Sequence, residues 1–539
     1  MRLERSTSVG LALLASLACP AAAWAGGVPW FARVTPDPLA PQACGGDGCW
    51  TNYVRVTDLN GDDALDLVFV NYAGLFINGT AQPLIIYEND GDAGFTNVSD
   101  VAVNDYVGRI RQVAIGDVDG DGDPDMYVPS ARAEGDAFFI NDGMGVFTDE
   151  VDDRLPGLNS RAGAARFFDA DNDGDFDLFL SDGYITNSVV FGHLYLNDGD
   201  GNFTELGGAM PAVFDGVDID DVDVFDADRD FDLDLLVNAH NGNSSLWIND
   251  GAGMFSDASD DLPNSVTANN HYNPAVCDVD DDGDLDIWID NIGGNFQEQL
   301  MINDGTGAFT DETNARVTGN VSSDDNGIGC VDLDNDGDFD AVVYALSTPE
   351  RAFINDGNGN FSAMAGVFPA TTDSTLWGEF GDLDGDGRID LVTGQGEGTE
   401  LEAIDLGTAS LAVDDRAPEI THYESPEAME PGDTELVLRY AVRDRVVTDE
   451  GARLSAAFAR YTVDGGTMQT ADALFMGGDL YRVAIPGQSP GSTVTVELCA
   501  TDRAGNEGCV SAGTYQVGDV PPTTGTDGTG SGTDSSTTD

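Results

Sequence analysis

The chain has 539 residues, 41% of them hydrophobic, and a net charge of −76 at pH 7. That length exceeds one ordinary core and suits two or three domains. Its 22 basic residues are all Arg, so lysine Schiff-base chemistry is excluded, and a surface this acidic repels the phosphates of nucleic acid.

Residues 1–25 read as an export signal. Arg2 and Arg5 give the positive start, Val9 to Ala18 the short apolar segment, and Ala23-Trp24-Ala25 a small-x-small cleavage site. The apolar run is too short for an anchor and is broken by Pro20. Cys19 is a lipidation candidate, although Ser16 stands where such a site favours Leu. No other segment is apolar and long enough to span a membrane, so a secreted or cell-surface location is expected. Six Cys remain after cleavage, an even number in an exported chain, which suggests disulfides. Cys44 and Cys49 are close in sequence, as are Cys499 and Cys509. Cys277 and Cys330 are then either a third pair or two buried thiols.

An acidic nonapeptide recurs seven times at spacings of 50–59 residues: "DLNGDDALD" at 58, "DVDGDGDPD" at 117, "DADNDGDFD" at 169, "DADRDFDLD" at 226, "DVDDDGDLD" at 278, "DLDNDGDFD" at 332 and "DLDGDGRID" at 382. A second motif, of the type "FINDGMGVF", falls between them six times. Each unit reads as four short strands. One enters the acidic run, one leaves it, a third ends at the Asn-Asp-Gly turn, and a fourth follows that turn. Repeated radially, such sheets form a β-propeller. The seventh unit lacks the turn and its Phe strand. The early strand "PWFARVT" is expected to complete it and close the ring.

The acidic runs suit a hard cation such as Ca²⁺, which takes six to eight oxygens. Positions 1, 3, 5 and 9 supply carboxylates, position 7 a backbone carbonyl, and Gly at position 6 the reversal. The first unit offers Asp58, Asn60, Asp62 and Asp66. The second offers Asp117, Asp119, Asp121, the carbonyl of Asp123, and Asp125. The third offers Asp169, Asp171, Asp173, Asp175 and Asp177, and the fourth Asp226, Asp228, Asp230 and Asp234. The fifth offers Asp278, Asp280, Asp282, Asp284 and Asp286, and the sixth Asp332, Asp334, Asp336, Asp338 and Asp340. The seventh offers Asp382, Asp384, Asp386, the carbonyl of Arg388, and Asp390. An EF-hand is excluded, because position 12 is Phe69, Val128, Leu180, Val237, Ile289, Val343 or Thr393 rather than Glu. A purely salt-adapted surface does not account for the phasing of these acids. Up to seven Ca²⁺ are expected. The units at 58 (Asn60, and Asp63 at position 6) and at 226 (Phe231 at position 6) should bind most weakly, or deform.

These nonapeptides resemble the FG-GAP/VCBS repeats of integrin-α-type propellers and of many exported bacterial proteins, over roughly residues 28–412. The resemblance implies a seven-bladed ring with one calcium between the first two strands of each blade. Members include adhesion receptors, lectins and accessory modules of enzymes such as polysaccharide lyases.

Meander geometry puts the acidic loops and Asn-Asp-Gly turns on one face. The other face carries the irregular connections 130–136, 182–193, 239–245, 264–273 and 290–299, with Tyr184, His193, His240, His271, Tyr272, Asn295 and Phe296. Such loops are where a ligand is expected.

From about Asp415 the acidic runs stop. Alternating strands such as "TELVLRYAVRD" and "STVTVELCATDRAGNEGC" suggest a β-sandwich over 415–518, similar to Ig-like or FnIII-like modules, whose expected job is spacing or weak adhesion. Residues 519–539 have the composition of a disordered tail. The expected domains are thus 1–25, a propeller over 26–412, the sandwich and the tail: an all-β chain. No Ser/His/Asp set or zinc spacing is evident, and Glu134, Glu298 and Glu379 have no partner visible in sequence. An exported, calcium-stabilised binding or adhesion scaffold is expected, facing a protein or glycan ligand. The alternatives are a lectin-like propeller and a calcium-dependent polysaccharide lyase or hydrolase.

Overall fold

The computed structural model describes residues 29–35, 37–39, 50–72, 81–132, 135–158, 160–182, 191–211, 217–241, 244–263, 271–290, 296–371, 374–396, 402–430, 432–448 and 450–518. The export signal, Cys44, Cys49, Glu134, Tyr184, Asn295 and the tail lie outside these residues.

The chain is nearly all β. Helical turns are confined to short segments such as Ser99–Ala102, Val151–Arg154 and Thr313–Arg316. Among the described residues no helix is long and apolar enough to cross a membrane.

Each repeat folds as an antiparallel meander. In the second, Ala114–Gly116, Asp125–Val128, Ala137–Asn141 and Phe147–Asp149 pair in order. The acidic loop joins the first two strands. The last repeat contributes Thr375–Gly381, Asp390–Gln395 and Ala403–Gly407, and its fourth strand is Phe31–Arg33, with Phe31 opposite Gly407. The first and last parts of this region are therefore hydrogen-bonded to one another. The sixth sheet gains a fifth strand, Val317–Thr318, parallel to Phe361–Met364.

The first strands of successive sheets pack side by side, from Ala114–Gly116 through Ala165–Phe168, Val217–Phe225, Ala275–Cys277, Asp325–Val331 and Thr375–Gly381, which returns to Thr51–Thr57. Their second strands are buried along their length, polar ends included, as in Asp66–Asn71 and Asp390–Gln395. Large aromatics fill the space between sheets. Phe138 meets Phe167 and Phe203 of the next repeat, and Trp288 meets Phe353 and Phe361. Burying such rings contributes about 1.5–3 kcal/mol each. Cys277 and Cys330 are disulfide-bonded between the first strands of the fifth and sixth sheets, and Cys499 is bonded to Cys509 within a C-terminal hairpin.

The C-terminal region is a seven-stranded sheet, in which Glu419–Tyr423 and Glu507–Gln516 are the two ends of the strand order. These ends also pack together, enclosing a core of Leu438, Tyr440, Ala459, Val483, Val496 and Leu498. This region does not stand apart as a spacer. It folds back onto the acidic-loop side of the repeat sheets. Asp169 donates its N–H to the Met476 carbonyl at 2.8 Å, and Asp332 to the Arg445 carbonyl at 2.8 Å. Gly477 makes the close approach possible, because a Cβ there would lie 2.8 Å from the Cβ of Phe168.

Candidate metal centre

The seven acidic loops share one hydrogen-bond plan. The position-1 carboxylate caps backbone N–H groups inside its own loop. Asp117 accepts from Gly120 and Gly122, Asp278 from Asp282 and Gly283, and Asp382 from Asp386 and Gly387. The position-5 carboxylate accepts from position 7, as Asp173 does from Asp175 at 3.1 Å. Position 9 is buried and accepts two N–H groups, one on each oxygen. Asp286 takes Val279 at 3.0 Å and Asn303 at 2.8 Å; Asp66, Asp125, Asp177, Asp234 and Asp340 do the same with the corresponding residues. Asp390 takes Leu383 and, in place of an Asn, Gly407.

Two residues per loop have positive φ. Position 6 is one, as the reversal requires: Gly122 (96°), Gly174 (103°), Gly283 (98°), Gly337 (102°) and Gly387 (80°), and also Asp63 (70°) and Phe231 (69°). Position 4 is the other, and was not anticipated: Gly61, Gly120, Asn172, Arg229, Asp281, Asn335 and Gly385 all sit between 58° and 74°. The bias toward Gly, Asn and Asp at that position was the available signal. The loop at 226 therefore keeps the shared backbone path. Phe231 is held there by His422, stacked on its ring at 4.2 Å, with the Arg439 guanidinium 5.5 Å from the ring centre.

Within a loop the carboxylates converge. Ligand oxygens of Asp117, Asp119 and Asp125 lie within 4.8 Å of one another, as do those of Asp169, Asp171 and Asp177, of Asp226, Asp228 and Asp230, and of Asp278, Asp280 and Asp282. Position 3 is the informative one. The Oδ1 atoms of Asp119, Asp171, Asp228, Asp280 and Asp334 are each buried without a hydrogen-bond partner. A buried unpaired carboxylate oxygen is costly, and its recurrence at one register in five loops fits a cation-facing ligand. In the first loop Asn60 breaks the pattern, donating from Nδ2 to Asp62 at 3.2 Å.

Burial, aided by neighbouring acids, holds the position-9 carboxyls above the usual carboxylate range. It raises Asp66 and Asp125 to about 7, Asp177, Asp286 and Asp390 to about 8, and Asp234 to about 9. A divalent cation would favour their charged forms. The all-oxygen donor set suits Ca²⁺ or a similarly hard ion.

The Asn-Asp-Gly motif has a role that the turn alone does not explain. Its Asn Nδ2 donates to a carbonyl in the preceding loop: Asn141 to Leu59 at 2.9 Å, Asn197 to Val118 at 2.7 Å, Asn249 to Ala170 at 2.8 Å, Asn303 to Ala227 at 2.9 Å and Asn355 to Val279 at 2.8 Å. Asn89 closes the circuit by donating to Leu383 at 2.9 Å. Each loop but one is thereby tied to the next sheet. The exception follows from the seventh repeat, which lacks the motif.

Arginines from other parts of the chain also reach the loops. Arg154 binds Asp119, Arg316 binds Asp280, and Arg229 binds Asp284. From the C-terminal strand Glu435–Arg443 and the residues just after it, Arg439 binds Asp232, Arg443 binds Asp278, and Arg445 binds Asp281.

The residues expected to mark a ligand surface are dispersed. His193 pairs with Glu205 at 2.8 Å, Phe296 is exposed, and His240 lies in the strand Asp234–Asn241. His271 is not a surface group: it is fully buried, and burial lowers its pKa to about 4. Glu379, which looked isolated, accepts from Trp377 Nε1 at 2.8 Å and from the Thr448 hydroxyl.

Among solved structures, sucrose-6-phosphate hydrolase from Lactobacillus gasseri is similar at 11% identity and a TM-score of 0.29, covering 91% of this chain and 88% of that one. A fructofuranosidase variant from Schwanniomyces occidentalis complexed with fructosylnystose is similar at 8% identity and a TM-score of 0.26, covering 66% of this chain and 88% of that one. Likeness at this level carries no argument about activity. No curated protein matches the chain. The family model described as FG-GAP-like repeat matches residues 58–128, 226–289 and 344–393, so the chain carries FG-GAP-like repeats in three regions.

Proposed function

We propose that the chain is an exported, calcium-loaded seven-bladed β-propeller, capped on its calcium face by an Ig-like or FnIII-like β-sandwich. It acts as a binding or adhesion scaffold. The observation that carries the calcium reading is the buried, unpartnered Oδ1 that recurs at position 3 in five loops. Cations there would stiffen the loops to which the Asn-Asp-Gly turns attach, and so hold the ring together. With the C-terminal sheet on the calcium face, the opposite face is left for a protein or glycan ligand. That face carries the irregular connections between sheets.

The test is binding of the full chain to a glycan array and to immobilised cell-surface protein, with calcium and then with EGTA. Binding in calcium that is lost on chelation is expected. Binding to neither class contradicts the scaffold reading. Release of unsaturated products from an acidic polysaccharide would replace it with the lyase alternative.

A further inference from the structure

At the end of the fifth and sixth sheets remote from the acidic loops, a different set of acids is buried. Arg351 Nη2 donates to both Glu298 and Asp325, so one guanidinium nitrogen joins two carboxylates from neighbouring sheets. Both carboxylate side chains are fully buried. Ile289 is paired with Gln299, which places Asp290 directly across from Glu298, one step beyond the ladder. Like charges so placed repel one another.

Asp290 is the decisive residue. It is 0% exposed, and neither of its carboxylate oxygens has a hydrogen-bond partner. Glu298 Oε2 and Asp325 Oδ1 are likewise buried and unpartnered. Asn320, which donates to the Glu298 carbonyl at 2.8 Å, has a buried Oδ1 without a partner. Three carboxylates against one guanidinium leave two negative charges in the interior, where an uncompensated charge is strongly disfavoured.

We propose that Asp290, Glu298 and Asp325 hold one divalent cation, with Arg351 fixing two of the three ligands. Every free donor is an oxygen, which selects a hard ion of the calcium class. The unpaired charge equals that of one such ion. The site is not another copy of the repeat. The residues in the Asp290 register elsewhere are Val70, Pro129, Ser181, Asn238, Tyr344 and Gly394. It would pin the fifth sheet to the sixth at the end opposite the acidic loops, on the face proposed to meet the ligand. Burial and mutual repulsion raise Glu298 to about 7 and Asp290 well above the usual range, so protonation is the competing way to relieve the same charge.

The test counts calcium per chain by plasma emission after EGTA treatment and redialysis into calcium, for the full chain and for Asp290→Asn. The variant is expected to hold one calcium fewer while keeping its β-sheet circular dichroism. An equal count in a folded variant overturns the proposal. If the variant does not fold, wild-type crystals with calcium exchanged for a lanthanide decide. An anomalous peak among Asp290, Glu298 and Asp325 supports the site. Peaks at the acidic loops but none here overturn this proposal alone. No peak anywhere overturns the calcium scaffold reading with it.

Discussion

Arg443 donates through Nη1 to the carboxylate of Asp278, joining the C-terminal sheet to the fifth acidic loop at a pair whose side chains are 4% and 0% exposed. Asp278 is the position-1 acid of its loop, so the guanidinium and a bound cation would neutralise the same carboxylate. The C-terminal sheet thus reaches a carboxylate of the candidate metal site. Arg443→Met leaves Asp278 buried with one positive partner removed, a change of about 3–5 kcal/mol when no other charge compensates. Denaturant unfolding should show that loss in EGTA and a smaller one in calcium, where the ion remains beside Asp278. An equal loss in both conditions would mean that the two do not share the carboxylate.

Chelation should also change the sign of the pH dependence. The position-9 acids have folded-state pKa values near 7 to 9, above the 3.8 of an ordinary Asp. Without a cation, the folded state binds more protons than the unfolded chain between these limits. The contribution of these acids to stability is therefore fullest below about pH 4 and is lost as pH rises through about 7 to 9. Calcium would bind the deprotonated loops, so on this reading the gain in melting temperature on adding calcium should grow from pH 5 to pH 8. A calcium increment that ignores pH would contradict the assignment of these acids.

The two residues other than Gly at position 6 should respond differently to Gly. Asp63 is exposed at φ 70°, and its backbone carbonyl, not its side chain, accepts from Arg503. Asp63→Gly should stabilise by about 1 kcal/mol through removal of left-handed strain. Phe231 has similar strain, but its ring stacks on His422 and lies under Arg439. Losing contacts worth about 0.5–1.5 kcal/mol for the stack, together with the buried ring area, should leave Phe231→Gly neutral or destabilised. Thermal unfolding of both variants in calcium distinguishes these outcomes.

The links between sheets are open to a single substitution. Asn249 Nδ2 donates to Ala170 of the preceding loop and to Leu233 of its own. Asn249→Ala leaves two buried carbonyls without this donor, at about 1–3 kcal/mol each. A loss of about 3 kcal/mol in denaturant unfolding is expected. A change within 0.5 kcal/mol, about that of an ordinary surface substitution, would show that these links do not hold the ring.

Much of this architecture is legible in the chain because repetition amplifies local signals. The Asp phasing, the Asn-Asp-Gly turns and the orphan strand around Phe31 each follow from turn chemistry and strand period. The Asn bridges from one sheet to the preceding loop were not legible, since a turn motif says nothing about the carbonyl its side chain will meet. The docking of the C-terminal sheet was hidden for a related reason. It depends on Arg439, Arg443, Arg445 and the closely approached Gly477, which follow no period. Glu298 looked unpartnered for want of register. Only the pairing of Ile289 with Gln299 puts it opposite Asp290, and only the neighbouring sheet supplies Arg351. His271, one of four histidines, looked like a surface group and is a buried one.

The central claim is that the acidic loops are cation sites. Metal analysis of chain purified without chelator tests it most directly. The account predicts several equivalents of calcium per chain, with the loop at 58, where Asn60 replaces the position-3 carboxylate, the first to empty as EGTA is titrated in. Essentially metal-free protein with an unchanged melting temperature in EGTA would contradict it.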